Sequence, residues 1–206
     1  ELLASLSRST LKHRPGELAT YCNDGFTLAE MIVAKVTGQS YGDFLTGRIF
    51  QPLAMDHTGL GVGRLPQGMT PARFYRPDGK SEPLEIVSLL GSGGISSTAE
   101  DLCRFAASFS SGSAILSAQS RLEILKRQPS DLQGKLAGDS FPFGLGWDFA
   151  DIKVFSDENL RFYGKTGVTG HYASMLYTVP SQQISVAVIA SGAQCDSPGI
   201  ALSILS

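Results

Sequence analysis

An α+β fold is predicted for this chain, with a mainly helical lobe over residues 1–134 and an antiparallel sheet with a C-terminal helix over 135–206. Three observations predict it. Apolar residues recur at helical spacing as far as Arg127, most regularly in Leu102, Phe105, Ala106 and Phe109. Beyond Pro129 the period changes from helical to two. Finally, Pro180-Ser181-Gln182-Gln183 is short enough to join two strands as a hairpin, which makes their pairing antiparallel.

Each element has its own signal. Leu2, Leu3 and Leu6 share a helical face, and the turn-forming Pro15-Gly16 stops that segment. Tyr21 to Gly25 reads as a polar loop, after which Thr27 and Glu30 have the spacing of a capping box. Leu28, Met31, Ile32 and Val36 follow at helical period, with Gly38 as the C-terminal cap. A second helix starts at Ser40, carries Phe44, Leu45 and Ile49 on one side, and is shut off by Pro52. Residues 52–90 are rich in Gly and Pro without periodicity, as in a long irregular excursion. Ser97 and Glu100 form another capping-box spacing ahead of the Leu102–Phe109 helix. A further helix is expected from about Ala118 to Arg127. Strands are expected at Phe143–Ala150, Ile152–Phe155, Arg161–Gly164, Tyr172–Val179 and Ile184–Ala190, and a final helix from Ser197.

Composition excludes several function classes. With 206 residues and 42% hydrophobic content the chain can bury a sizeable core. A net charge of -2, with no run of like charges, leaves no footprint for nucleic acid or an anionic membrane. No apolar run reaches the ~20 residues of a membrane span. Cys22, Cys103 and Cys195 are too scattered for a disulfide framework or a zinc site, and His13, His57 and His171 lack metal-ligand spacing. No metal or cofactor is expected.

Four motifs could carry chemistry. Gly38-Gln39-Ser40-Tyr41-Gly42 has the Gly-x-Ser-x-Gly pattern of a nucleophile elbow, but an elbow needs a strand before its serine and a helix is predicted there. Ser9-Thr10-Leu11-Lys12 has the Ser-x-x-Lys spacing that sets an amine one turn from a hydroxyl, yet beside Pro15-Gly16 nothing would bury and deprotonate the lysine. Tyr21-Cys22-Asn23 lies in a loop, and Lys165-Thr166-Gly167-Val168 lies on a strand. Together these last two supply a phenol near a cation, and a cation lowers a phenol's pKa towards that of a useful base.

Assembled in order, these segments resemble the serine β-lactamase and penicillin-binding-protein superfamily, in the branch of class C β-lactamases, D-Ala-D-Ala carboxypeptidases and related esterases. The resemblance runs from Pro15-Gly16 and Tyr21-Cys22-Asn23 through Gln51-Pro52-Leu53-Ala54-Met55 and Gly93-Gly94 with Ser97-Thr98 and Asp101-Leu102 to Lys165-Thr166-Gly167. It implies a β-lactamase/transpeptidase-like fold and a serine hydrolase that works through an acyl-enzyme on a β-lactam, a D-Ala-D-Ala peptide or an ester. By the same resemblance, Tyr21 is a general base or proton relay and Asn23 bonds the substrate amide. Lys165 holds Tyr21 as phenolate or binds a substrate carboxylate, Thr166 binds that carboxylate beside Gly167, and the Val168 amide completes an oxyanion hole. The family's own Ser-x-x-Lys lies far upstream of Tyr-x-Asn, whereas Ser9–Lys12 is too close to Tyr21. The nucleophile, with the family's N-terminal helix and first strands, is therefore expected outside this chain, in a preceding segment or a second or swapped chain, or lost altogether. Two alternatives stay open: a catalytically inactive binding module, and an elbow-type esterase using Ser40. An extracytoplasmic location is expected from the resemblance alone.

Overall fold

The computed structural model describes residues 2–11, 13–61, 66–129, 142–154 and 157–205; at 154 and 157–159 it describes the backbone alone. The helices in the first part are α1 (Leu2–Leu6), α2 (Asn23–Thr37), α3 (Tyr41–Leu45) with a π-helical turn over Thr46–Phe50, α4 (Leu90–Gly93), α5 (Ala99–Ala107) and α6 (Ala118–Leu125). Two short strands, β1 (Gly59–Leu60) and β2 (Ile95–Ser96), pair across the long excursion. The second part is a four-stranded antiparallel meander, β3 (Phe149–Val154), β4 (Asp157–Val168), β5 (Tyr172–Val179) and β6 (Ile184–Ser191), followed by α7 (Ser197–Leu205).

Helix boundaries follow local chemistry, though not always the residues expected to set them. Gly38 caps α2 in the left-handed conformation at φ 69°, and its N–H donates to the Ala34 carbonyl. Ser40 caps α3 by accepting the Asp43 N–H at 3.0 Å. Thr27 and Glu30, however, do not open a helix. α2 begins earlier, at Asn23, and the Thr27 hydroxyl bonds back to the Asn23 carbonyl at 3.2 Å. Glu30 instead reaches across to accept the Gly91 N–H at 2.7 Å, tying α2 to α4. At α5 the cap is Thr98, one residue later than expected, because the Ser97 hydroxyl is already paired with Thr58 at 2.7 Å.

One core joins the two parts. Ala106 and Phe109, from α5 and its end, pack against Trp147, Ala150 and Leu176, with Trp147 edge-on to Phe109 at 5.0 Å between ring centres. The opposite sheet face buries Phe162, Met175, Tyr177 and Val179 under α7, whose Ala201 is fully buried. Since helices cover both faces, β5 is buried almost continuously from Met175 to Val179, where alternation alone predicts one exposed face. β6 forms one edge of the sheet.

The strands expected at Phe143–Ala150 and Ile152–Phe155 are replaced by one strand, β3. Its register against β4 shifts between Phe149 and Ile152, where Asp151 has a φ of 58°. That bulge reads in sequence as a break between two strands. Phe155 and the Lys12 of the Ser9–Lys12 pair lie outside the described residues.

Part of the excursion is pinned to the β4–β5 turn. Glu85 accepts the Gly170 and His171 N–H groups at 3.0 Å each, Phe74 stacks on His171 at 4.5 Å, and the Tyr172 hydroxyl donates to the Ala72 carbonyl at 2.7 Å. A bond from the Thr169 hydroxyl, reinforced by the two N–H groups and by His171, holds the Glu85 carboxyl below the usual glutamate range despite its partial burial. A depressed carboxyl stabilises the fold above the ordinary glutamate value, and this contribution is lost as the pH falls through the lower, folded value. Hydrogen exchange at Gly170 and His171, corrected for intrinsic rates, should therefore accelerate once the pH drops below that range. Glu85→Gln should abolish the transition; an unchanged transition in that variant would assign it elsewhere.

Candidate active site

The sheet has a half-open edge, and the site is built on it. β4 is longer than its neighbour: its pairing with β3 ends at Phe149–Gly164, while its pairing with β5 continues through Lys165, Thr166 and Gly167 to Val168–Ala173. Backbone groups alternate in direction along an antiparallel strand. The Gly164 carbonyl and the Thr166 N–H point towards the β3 side, and the Val168 N–H falls on that same open edge by alternation. Gly167 is required by close approach, because a Cβ there would lie 2.5 Å from Ser174 Oγ on β5.

Facing this edge is the start of α2. Lys165 Nζ lies 5.5 Å from the centre of the Tyr21 ring, so two of the residues singled out in the sequence, from distant parts of the chain, meet in space. Both are solvent-accessible: Tyr21 is 62% exposed and the Lys165 side chain 35%. The ammonium lies over the ring face and donates elsewhere, to the Thr166 carbonyl at 2.6 Å and to Asp148 at 2.9 Å. Asn23, the first residue of α2, and Val168 are exposed.

Asp148 is the residue that the sequence reading missed. One carboxylate oxygen, Oδ2, accepts from Lys165 Nζ at 2.9 Å, the Thr166 N–H at 2.9 Å and the Thr166 hydroxyl at 2.5 Å. Extending the Phe149–Gly164 register by one residue sets Asp148 opposite Lys165, and the Asp148 N–H, by donating to the Gly164 carbonyl at 3.0 Å, holds the residue against β4. Only 6% of the residue is exposed, beside the buried Trp147. The one sequence signal was an acid directly after an aromatic residue, inside the strand expected over Phe143–Ala150; its partner is set by the register, which the β3 bulge obscures.

The other serines singled out are engaged locally. Ser9 Oγ donates to the Ser5 carbonyl at 3.1 Å on the exposed end of α1. Ser40 Oγ donates to Asp43 Oδ2 at 2.6 Å between two helices, so the strand that an elbow requires is missing at this serine. Among the described residues, no group of three His, Cys, Asp or Glu side chains could hold a metal, and no helix is long and apolar enough to cross a membrane.

Known proteins share the sequence pattern and the fold. A family model described as Beta-lactamase matches residues 1–202. The chain is 24% identical to a beta-lactamase of Escherichia coli K12 over 86% of this chain and 52% of that protein. It is 25% identical to penicillin-binding protein 4 of Amycolatopsis lactamdurans over 86% of this chain and 48% of that protein. It thus spans about half the length of the curated relatives it matches. The octameric penicillin-binding protein homologue from Pyrococcus abyssi superposes with a TM-score of 0.76 at 21% identity, over 98% of this chain and 46% of that one. With a Lys-Thr-Gly strand edge facing a Tyr-x-Asn helix start, and the family pattern running through nearly its whole length, the chain belongs to the beta-lactamase family.

Proposed function

We propose that this chain supplies two walls of the acyl-transfer cleft of a serine hydrolase, acting on a β-lactam, a D-Ala-D-Ala peptide or an ester. The observation that carries this reading is the approach of Lys165 Nζ to within 5.5 Å of the Tyr21 ring across the open end of β4. In this proposal Tyr21 takes and returns the nucleophile's proton, with the Lys165 ammonium beside its ring. Asn23 bonds the substrate from the α2 side, and Thr166 and Gly167 line it from the strand side. The Val168 N–H, aimed along the open edge, donates to the oxyanion as negative charge develops. The serine is assigned to a Ser-x-x-Lys segment other than Ser9–Lys12, whose hydroxyl is spent on the Ser5 carbonyl. An extracytoplasmic location belongs to the same proposal, on family membership alone.

The test is acylation by a fluorescent penicillin, or turnover of a p-nitrophenyl ester, by protein that carries this chain with an upstream Ser-x-x-Lys segment. Neither labelling nor turnover in such a protein would sink the proposal. That result would favour a binding module without catalysis, the reading to which the local engagement of Ser9 and Ser40 otherwise points.

A further inference from the structure

An ammonium, a hydroxyl and a backbone N–H gathered at a strand edge form, by their chemistry, a receptor for a carboxylate: all are donors and one is charged. Here that receptor already holds one. Asp148 Oδ2 takes a hydrogen bond from each of the three groups, at 2.9 Å from Lys165 Nζ, 2.9 Å from the Thr166 N–H and 2.5 Å from the Thr166 hydroxyl. Lys165 spends a second N–H on the Thr166 carbonyl at 2.6 Å. The Asp148 charge offsets that of Lys165 at contact distance, and the Thr166 hydroxyl has no second proton to offer. Nor is Asp148 a mobile surface side chain that an incoming anion could displace. It is 6% exposed, its own N–H is bonded to the Gly164 carbonyl at 3.0 Å, and its neighbour Trp147 is locked in the core.

We propose that Asp148 is a specificity-determining residue that occupies the Thr166 hydroxyl and amide and one Lys165 N–H from within the chain, so that the cleft favours acyl substrates without a carboxylate at that position: neutral amides and esters. This rests on the cleft assignment above and narrows its substrate class. A substrate carboxylate entering the cleft would meet a cation already paired with Asp148 and an occupied hydroxyl, with a single Lys165 N–H left to it, and so would recover less of its lost hydration than at an unpaired ammonium. A carboxamide or ester of the same shape incurs no such loss.

Titration of the isotope-labelled chain with D-alanyl-D-alanine and with its C-terminal amide, followed by NMR at the Thr166, Gly167 and Val168 amides, separates the possibilities. The wild-type chain should bind the amide at least as tightly as the free carboxylate. In Asp148→Asn, which keeps the shape and an acceptor for Thr166 but frees the Lys165 charge, the affinity ratio should move about tenfold towards the carboxylate, one charge-assisted bond's worth. A brace with no part in specificity would change both affinities alike and leave the ratio fixed. Tighter binding of the carboxylate by the wild-type chain, or an unmoved ratio in a folded Asp148→Asn, overturns the proposal while leaving the cleft assignment standing. If Asp148→Asn does not fold, the wild-type ratio decides. Should neither ligand shift these amides at millimolar concentration, the cleft assignment fails and this inference falls with it.

Discussion

Replacing Asp101 by alanine is expected to destabilise the chain by about 3–5 kcal/mol, the largest single effect on stability that we predict. Asp101 is 1% exposed, and its Oδ2 accepts the His57 N–H and the Thr58 hydroxyl at 2.8 Å each. It thereby fastens the residues that lead into β1 to the first turn of α5. Alanine would leave a backbone donor and a largely buried hydroxyl without this acceptor, at about 1–3 kcal/mol for each unsatisfied group. Thr58 keeps its contact with Ser97, which moderates the second of these losses. Arg104, with Nε 4.0 Å from Asp101, is largely solvated and adds little. Asp101→Asn, which retains an acceptor, should recover part of the loss. Urea or guanidinium denaturation measures both; a loss below about 1 kcal/mol in the alanine variant would show that water replaces the carboxylate at no great cost.

Lys165→Ala should have the largest effect on activity, lowering kcat/KM for a p-nitrophenyl ester by about 10²–10³-fold in protein that carries the Ser-x-x-Lys segment. On the proposed reading the Lys165 ammonium beside the Tyr21 ring assists proton transfer, so its removal raises the barrier to that step while the proposed oxyanion donor at Val168 stays in place. The fold should survive. The Lys165 side chain is one-third exposed, so solvent screens much of its attraction to Asp148, and Asp148 keeps both bonds from Thr166; a stability loss near 1 kcal/mol is expected. Lys165→Arg should not restore the rate, since a planar guanidinium cannot occupy the position of a compact ammonium over the Tyr21 ring. The basic limb of the pH–rate profile should also move in Lys165→Ala. A full rate with an unmoved profile would remove Lys165 from the proton-transfer step.

Much of the candidate site was legible from residue types. Tyr21 and Lys165 stood out because a phenol and a cation suit proton transfer, and folding brings them within 5.5 Å. The hairpin turn at Pro180–Gln183, the Gly38 and Ser40 caps and the α5 core face are short-range features, set by the conformational preferences of a few adjacent residues. Where the reading slipped, a distant partner had outbid a local one. Glu30 left its expected cap for the Gly91 N–H, and Ser97 left its own for Thr58.

By itself, then, the sequence determined the class of fold, its longer helices, the hairpin of β5 and β6 and the two short motifs that face each other, because helical and strand periods and capping preferences are local. Tertiary structure alone decided that Lys165 lies over the face of the Tyr21 ring and spends two of its hydrogen bonds on Asp148 and Thr166. It also decided that Asp148, unremarkable in sequence, sits buried against the Lys-Thr-Gly edge. Strand register is the physical reason: the register shifts along β3 set which side chain stands opposite which, and that choice is made by packing across the sheet rather than by any run of neighbouring residues.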